Sequence, residues 1–233
     1  MINIAFLIPV KIEILTKDSN IFKLINNFKI NYNKKYNYNF YLGFDFNSKV
    51  LENKNILTEL NNENIKVHII EFSKDISFGY LTKMWNELFK LSLEDNDYFY
   101  QLGDDIDFET YDIFDYYIEN LKKNNNLGVT GFKTINGNTK ILTQSFVSKI
   151  HYDIFGFYFP ESIINWFCDD WISNVYEKQN LYIPLEKKIK NLKITNKKGG
   201  RYAIKNTKNE FKEELKKGEK ILKLYLEKSE NKT

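Results

Sequence analysis

The chain has one cysteine, Cys168, in 233 residues. That excludes an internal disulfide and a cysteine-based zinc site, and it suits a reducing compartment. Histidine is nearly as scarce: His68 and His151 are the only two, too few for a His/His metal pair with other ligands. No apolar run approaches the ~20 residues of a membrane span. The opening Met1 to Val10 is hydrophobic but has no basic segment before it and no small-residue cleavage site, and Pro9 interrupts it, so it reads as a first strand. Nor does either sign of charge predominate. Lysine and arginine total 34 against 31 acids, a net +3, which gives little support for a nucleic-acid or membrane-surface partner. Asn, Lys, Ile and Tyr are used as an A+T-rich coding sequence dictates, so most lysines and asparagines carry little chemical weight.

What is present is a βαβ rhythm. Apolar runs at 3–9, 39–44, 65–72, 98–102 and 127–132 alternate with amphipathic helical segments, which implies an α/β fold with a mostly parallel sheet. Ile21, Leu24, Ile25 and Phe28 mark one covering helix with Ser19 or Asp18 as N-cap. Leu81, Met84, Trp85, Leu88 and Leu91 mark another, with Lys83, Asn86, Glu87 and Lys90 opposite. A helix is expected over 111–123, antiparallel strands over 141–147, an aromatic loop over 152–159, a helix from Trp166 to Gln179 and a lysine/glutamate helix over 207–227. Length fits one domain, 1–206, with 207–233 packed on it as a terminal helix and tail.

Two acidic centres stand out. Tyr98-Phe99-Tyr100-Gln101-Leu102 runs into Gly103-Asp104-Asp105-Ile106-Asp107, an apolar strand with three carboxylates at its carboxyl end, where open α/β sheets bind ligands. Carboxylates this close repel unless a cation holds them ionised, and oxygen ligands favour Mg²⁺ or Mn²⁺ bridging phosphates. The plainer reading, that Asp104 or Asp107 caps the next helix, accounts for one carboxylate and not three. The second centre is Asp169-Asp170, flanked by Trp166, Phe167 and Trp171. Large rings dry the site and raise a carboxylate's pKa, which suits a general base. Asp169 is equally a good N-cap.

Other candidates are weaker. Asp45 follows the second strand and could accept from a nucleoside, or hold a turn. Lys83 and Asn86 could meet a phosphate and a base edge, or face solvent. Arg201, in Gly199-Gly200-Arg201-Tyr202, could reach a diphosphate from a loop or sit in a hairpin turn. His68 reads as a satisfied core residue, and His151, upstream of the Asp169 region, could contact substrate or be an ordinary residue of the aromatic loop. Trp166 and the neighbouring aromatic residues could stack on a sugar ring, although at 16% aromatic content most rings belong to the core.

Together, Tyr98 to Asp107 and Phe167-Cys168-Asp169-Asp170-Trp171 resemble the DxD-type metal motif and the later catalytic-base motif of GT-A fold glycosyltransferases. They are remotely similar to N-acetylglucosaminyltransferase I and family 2-like enzymes over about residues 2–202. The resemblance implies a Rossmann-like, mostly parallel twisted sheet flanked by helices, with a small antiparallel region on the acceptor side. It implies Mn²⁺ or Mg²⁺ on Asp105 and Asp107, and a nucleotide-sugar donor, UDP-linked, near Pro9, Asp45, Lys83, Asn86, Asp104 and Arg201. A glycan, glycoprotein or other hydroxyl acceptor would lie near His151 and Trp166. Asp169 or Asp170 would deprotonate that hydroxyl for inverting transfer.

Two features depart from that family. The 194–198 stretch carries no late histidine ligand, and no anchor precedes the domain, so a cytoplasmic enzyme is expected. A homo-oligomer is compatible with the sequence. The runner-up readings are an inactive glycan- or nucleotide-sugar-binding module and a nucleotidyltransferase. The second would want a glycine-rich phosphate loop after the first strand, and Ile8 to Glu13 has no glycine.

Overall fold

A computed structural model of the chain describes residues 1–108, 112–134, 138–191 and 207–230. The first half is built from β1 (Ile2–Pro9), α1 (Asn20–Asn31), β2 (Tyr36–Phe44), α2 (Asn55–Thr58), β3 (Ile65–Glu71), α3 (Leu81–Ser92) and β4 (Tyr98–Gln101). The second comprises β5 (Ile106–Asp107), α4 (Ile113–Lys122), β6 (Val129–Thr134), β7 (Phe146–Ser148), α5 (Ile150–Phe155), α6 (Cys168–Glu177), β8 (Tyr182–Asn191) and α7 (Lys208–Glu230). The strands are ordered β3-β2-β1-β4-β7-β6-β8, with the short β5 paired to the far end of β8. Pairs β1/β2, β1/β4, β2/β3 and β6/β8 are parallel, whereas β7 runs antiparallel to both β4 and β6.

Alternation along the strands divides the interior. Ile4, Phe6 and Ile8 with Tyr38, Phe40 and Leu42 face a core shared with α1 and α4. Ala5, Leu7, Tyr41 and Phe99 face the core under α3, α5, α6 and α7. Nearly continuous burial of β1, β2 and β4 is what a sheet covered on both faces requires. Strand β3 lies at the edge, and there Asn62 Oδ1 accepts from the Ile65 amide (2.8 Å) and Asn61 Oδ1 from the Val67 amide (2.7 Å). These bonds occupy groups that would otherwise template another strand.

The expected βα order holds, and some local readings change. Residues 150–155 form a helix, closed by Gly156 in the left-handed region (φ 75°), where an aromatic loop was expected. Asp112 occupies the N-cap position of α4, so neither Asp104 nor Asp107 caps it. Phe167, not Asp169, is the N-cap residue of α6. The terminal helix α7 packs on α5 and α6 through Phe211, Leu215 and Leu222. Among the described residues no helix is long and apolar enough to cross a membrane.

Candidate active site

Because β1, β2 and β4 are parallel, Pro9, Asp45 and the Asp104 turn emerge at one end of the sheet. Pro9 is buried opposite Gly43, and Leu102 N continues the ladder to Leu7 O at 3.1 Å. The chain then turns through Gly103 to Asp105. Asp104 is buried, and its Oδ2 accepts from the Lys11 amide at 3.0 Å, which ties the acidic turn to the segment after β1. Asp105 and Asp107 are half-buried on either side of the buried Ile106. Asp45 Oδ1 accepts from the Phe78 amide at 2.8 Å, and Ser77 Oγ accepts from the Phe46 amide at 2.8 Å. These bonds hold Phe78 at φ 62° ahead of Gly79 at φ 93°. A bulky non-glycine residue held there is strained, and Phe78 is 58% exposed.

Helix α3 connects this turn to the second acidic centre. Trp85 Nε1 donates to Leu102 O (3.3 Å), immediately before the acidic turn. Thr82 donates to Ile164 O through its amide (3.2 Å) and its hydroxyl (3.3 Å). Asn86 Oδ1 accepts from the Tyr158 and Phe159 amides (3.0 and 2.9 Å), and its Nδ2 donates to Phe159 O (2.8 Å). One helix face therefore grips both the end of β4 and the 158–164 stretch that leads into α6.

At the start of α6, Phe167 adopts φ 74°, a second strained position beside a carboxylate pair. Asp169 is half-buried, and its pKa is pushed up to about 8, first by burial and then by the charge of Asp170. Burial raises Asp170 as well. Cys168 lies between this pair and the core, with Sγ donating to Asn165 O at 2.9 Å and 3.7 Å from Asp169 Oδ1. Burial pushes its thiol well up, so it is not a thiolate nucleophile. Asp170 lines a cavity of about 550 Å³ shared with Lys140, Asn174 and Tyr182.

Not every sequence candidate joins this site. His151 is fully buried, with Nδ1 2.8 Å from the Tyr176 hydroxyl and Nε2 3.0 Å from Tyr158 O, and burial lowers its pKa to about 4. It braces the 158 segment from inside and does not reach an acceptor. Among the described residues the Asn86 side chain bonds only to backbone, so it acts as a clamp where a donor contact was expected. Lys83 lies over the Tyr80 ring at 5.6 Å and lines a separate 240 Å³ cavity with Asp75, Glu87 and Glu161. Trp166 is 40% exposed just upstream of the aspartate pair. Arg201 and the 194–198 stretch lie outside the described residues.

Among the described residues no three His, Cys, Asp or Glu side chains converge as a metal cage. Mg²⁺ and Mn²⁺ do not need one when substrate phosphates and water complete the shell, and one or two carboxylates then suffice. Asp105 and Asp107, oxygen-only and half-buried, fit that share of a site.

Solved structures share the architecture. TarS of S. aureus, as residues 1–349, superposes with a TM-score of 0.54 at 11% identity, over 82% of this chain and 60% of that one. The chain spans only 37% of a longer TarS structure. A putative nucleotide-diphospho-sugar transferase from Desulfovibrio desulfuricans G20 gives 0.52 at 10% identity, covering 82% and 83%. Glucosyl-3-phosphoglycerate synthase from Mycobacterium tuberculosis, in complex with Mn²⁺, UDP and phosphoglyceric acid, gives 0.52 at 8% identity, covering 78% and 67%. No family model and no curated protein matches the chain. At these identities the likeness is one of fold, and that fold is GT-A-like, as of glycosyltransferases.

Proposed function

We propose that the chain transfers a sugar from a nucleoside diphosphate, UDP in the first instance, to a hydroxyl acceptor with inversion. The observation that carries this reading is the clamp of α3 on both acidic centres at the carboxyl end of a parallel sheet, in a GT-A-like fold. Pro9, Asp45 and Asp104 form the donor side, and Asp45 also fixes the strained Phe78-Gly79 turn beside it. A divalent cation held by Asp105 and Asp107 would neutralise charge on the leaving diphosphate. The Asp169-Asp170 pair takes the proton of the acceptor hydroxyl as it attacks the anomeric carbon, and a carboxylate with a raised pKa is suited to that step. Trp166, exposed next to the pair, offers a ring face to the acceptor. The single cysteine favours a reducing compartment, and the reading includes a cytoplasmic enzyme that draws on cytosolic nucleotide sugar.

Calorimetry with uridine and guanosine diphosphate sugars, with and without Mn²⁺, followed by a donor-hydrolysis assay, tests the reading. Metal-dependent binding with turnover is expected, and Asp105→Ala should abolish the metal-dependent part. Donor affinity unchanged in that variant contradicts the metal assignment. Binding without turnover favours the inactive module.

A further inference from the structure

At the opposite end of the same sheet, β1, β2 and β3 present a second, polar cleft of about 390 Å³. It opens where α3 ends at Ser92 and leaves the amino-terminal halves of three strands without a covering helix among the described residues. The register places Asn39 beside Lys66 and Tyr41 beside His68, all on the face that further along the strands packs under α3.

The hydrogen-bonding groups of this cleft are incompletely used. His68, expected to be a satisfied core histidine, has a buried Nε2 with no hydrogen-bond partner among the described residues. Its ring stacks on Tyr41 with centroids 4.4 Å apart and planes at 8°. Tyr41 Oη accepts from Asn96 Nδ2 (3.3 Å), so its own hydrogen is left to donate. Asn39 Nδ2 donates to Asn96 Oδ1 (2.7 Å), so its Oδ1 is left to accept. Glu63, Glu94 and Asp95 surround these groups, and Lys66 is the one cation among the described residues that line the cleft.

We propose that this cleft binds a neutral saccharide, apart from the acidic site at the other end of the sheet. Three carboxylates against one ammonium repel phosphates and acidic sugars. A polyamine would use the carboxylates but not the hydroxyl of Tyr41. Sugar hydroxyls both donate and accept, which matches a wall of amide, phenol, neutral imidazole and carboxylate. Burial and Lys66 lower the pKa of His68, which keeps its ring neutral at neutral pH. The site goes beyond the transferase reading and does not depend on it, because none of its residues belongs to the acidic centres.

The test is NMR titration of the ¹⁵N-labelled chain with maltotriose, cellotriose and chitotriose, and separately with UDP and with spermidine. At least one trisaccharide is expected to give saturable shifts centred on Asn39, Tyr41 and His68, undiminished by excess UDP and retained in Asp170→Asn. His68→Ala and Tyr41→Phe should each weaken that binding by about fivefold or more. Tyr41→Phe removes only a hydroxyl and keeps the ring pair, so it reports on binding even if His68→Ala is unstable. The proposal is overturned if none of the three saccharides saturates, if the shifts fall at the acidic end, if Tyr41→Phe binds as the parent does, or if spermidine alone perturbs the cleft.

Discussion

At the scale of single residues, the carboxylates divide by environment. Asp169 carries a pKa of about 8 in the folded chain, far above the ~3.9 of an unfolded aspartate. The folded state therefore keeps a proton that the unfolded state releases between those values. Stability from this group is complete below about pH 4 and is lost as pH rises through about 8, at up to about 1.4 kcal/mol per pH unit. Asp169→Asn should flatten the urea midpoint between about pH 5 and 8, and a variant with the parent's slope would show that Asp169 is not so perturbed. Activity separates the pair differently. If Asp169 takes the acceptor proton, kcat/KM climbs with an apparent pKa near 8, whereas a limb well below that assigns the role to Asp170. Asn86 shows the limit of residue-type reasoning: a polar residue on a helix is as able to clamp backbone as to touch a ligand, and only its partners distinguish the two.

Among the elements, α3 has the largest share in building the site. Its first turns bond to Leu102 and Ile164, and Asn86 occupies two amides and a carbonyl in the 158–159 stretch. Asn86→Ala leaves those backbone groups unsatisfied, at a cost of about 1–3 kcal/mol, read from denaturant midpoints. If the clamp positions the aspartate pair, kcat should also fall while donor affinity measured by calorimetry holds. An equal loss of donor affinity would return Asn86 to the donor side. The element order was legible because β1, β2 and β4 each contain a run of apolar residues and α1 and α3 have clean helical periodicity. Strand β8 was not, since Glu186-Lys187-Lys188 inside Tyr182–Asn191 breaks any apolar pattern and pairing with β6, and with β5 at its far end, supports it. Helix α5 is six residues of mostly large side chains, too short for a period to appear, and it ends only because Gly156 can take a positive φ.

Over the whole molecule, one sheet separates two cores, and α7 closes the second. Leu222 is fully buried, Trp171 Nε1 donates to Glu214 O (3.1 Å), and Gly218 packs where an added Cβ would lie 2.8 Å from Trp171. A chain ending at residue 206 would expose Trp171 and its neighbours on α6 next to the aspartate pair. That truncation is expected to lower the urea midpoint and bind a hydrophobic dye, and a truncation as stable as the parent would make α7 an accessory. The same sheet sets two chemistries at opposite ends, acids where parallel strands finish and amides where they begin.

Composition and periodicity by themselves settled the α/β class, the parallel sheet and the carboxyl-end position of Asp104 to Asp107, because strand burial and chain direction are written in local pattern. Which polar side chains meet a ligand and which meet backbone was decided only by packing. His151, Asn86 and His68 are alike in that residue type by itself does not say whether a ligand or the backbone meets them. The first two have their hydrogen bonds met by residues of other elements and loops, while His68 Nε2 has none among the described residues, and such partners exist only once the fold has formed.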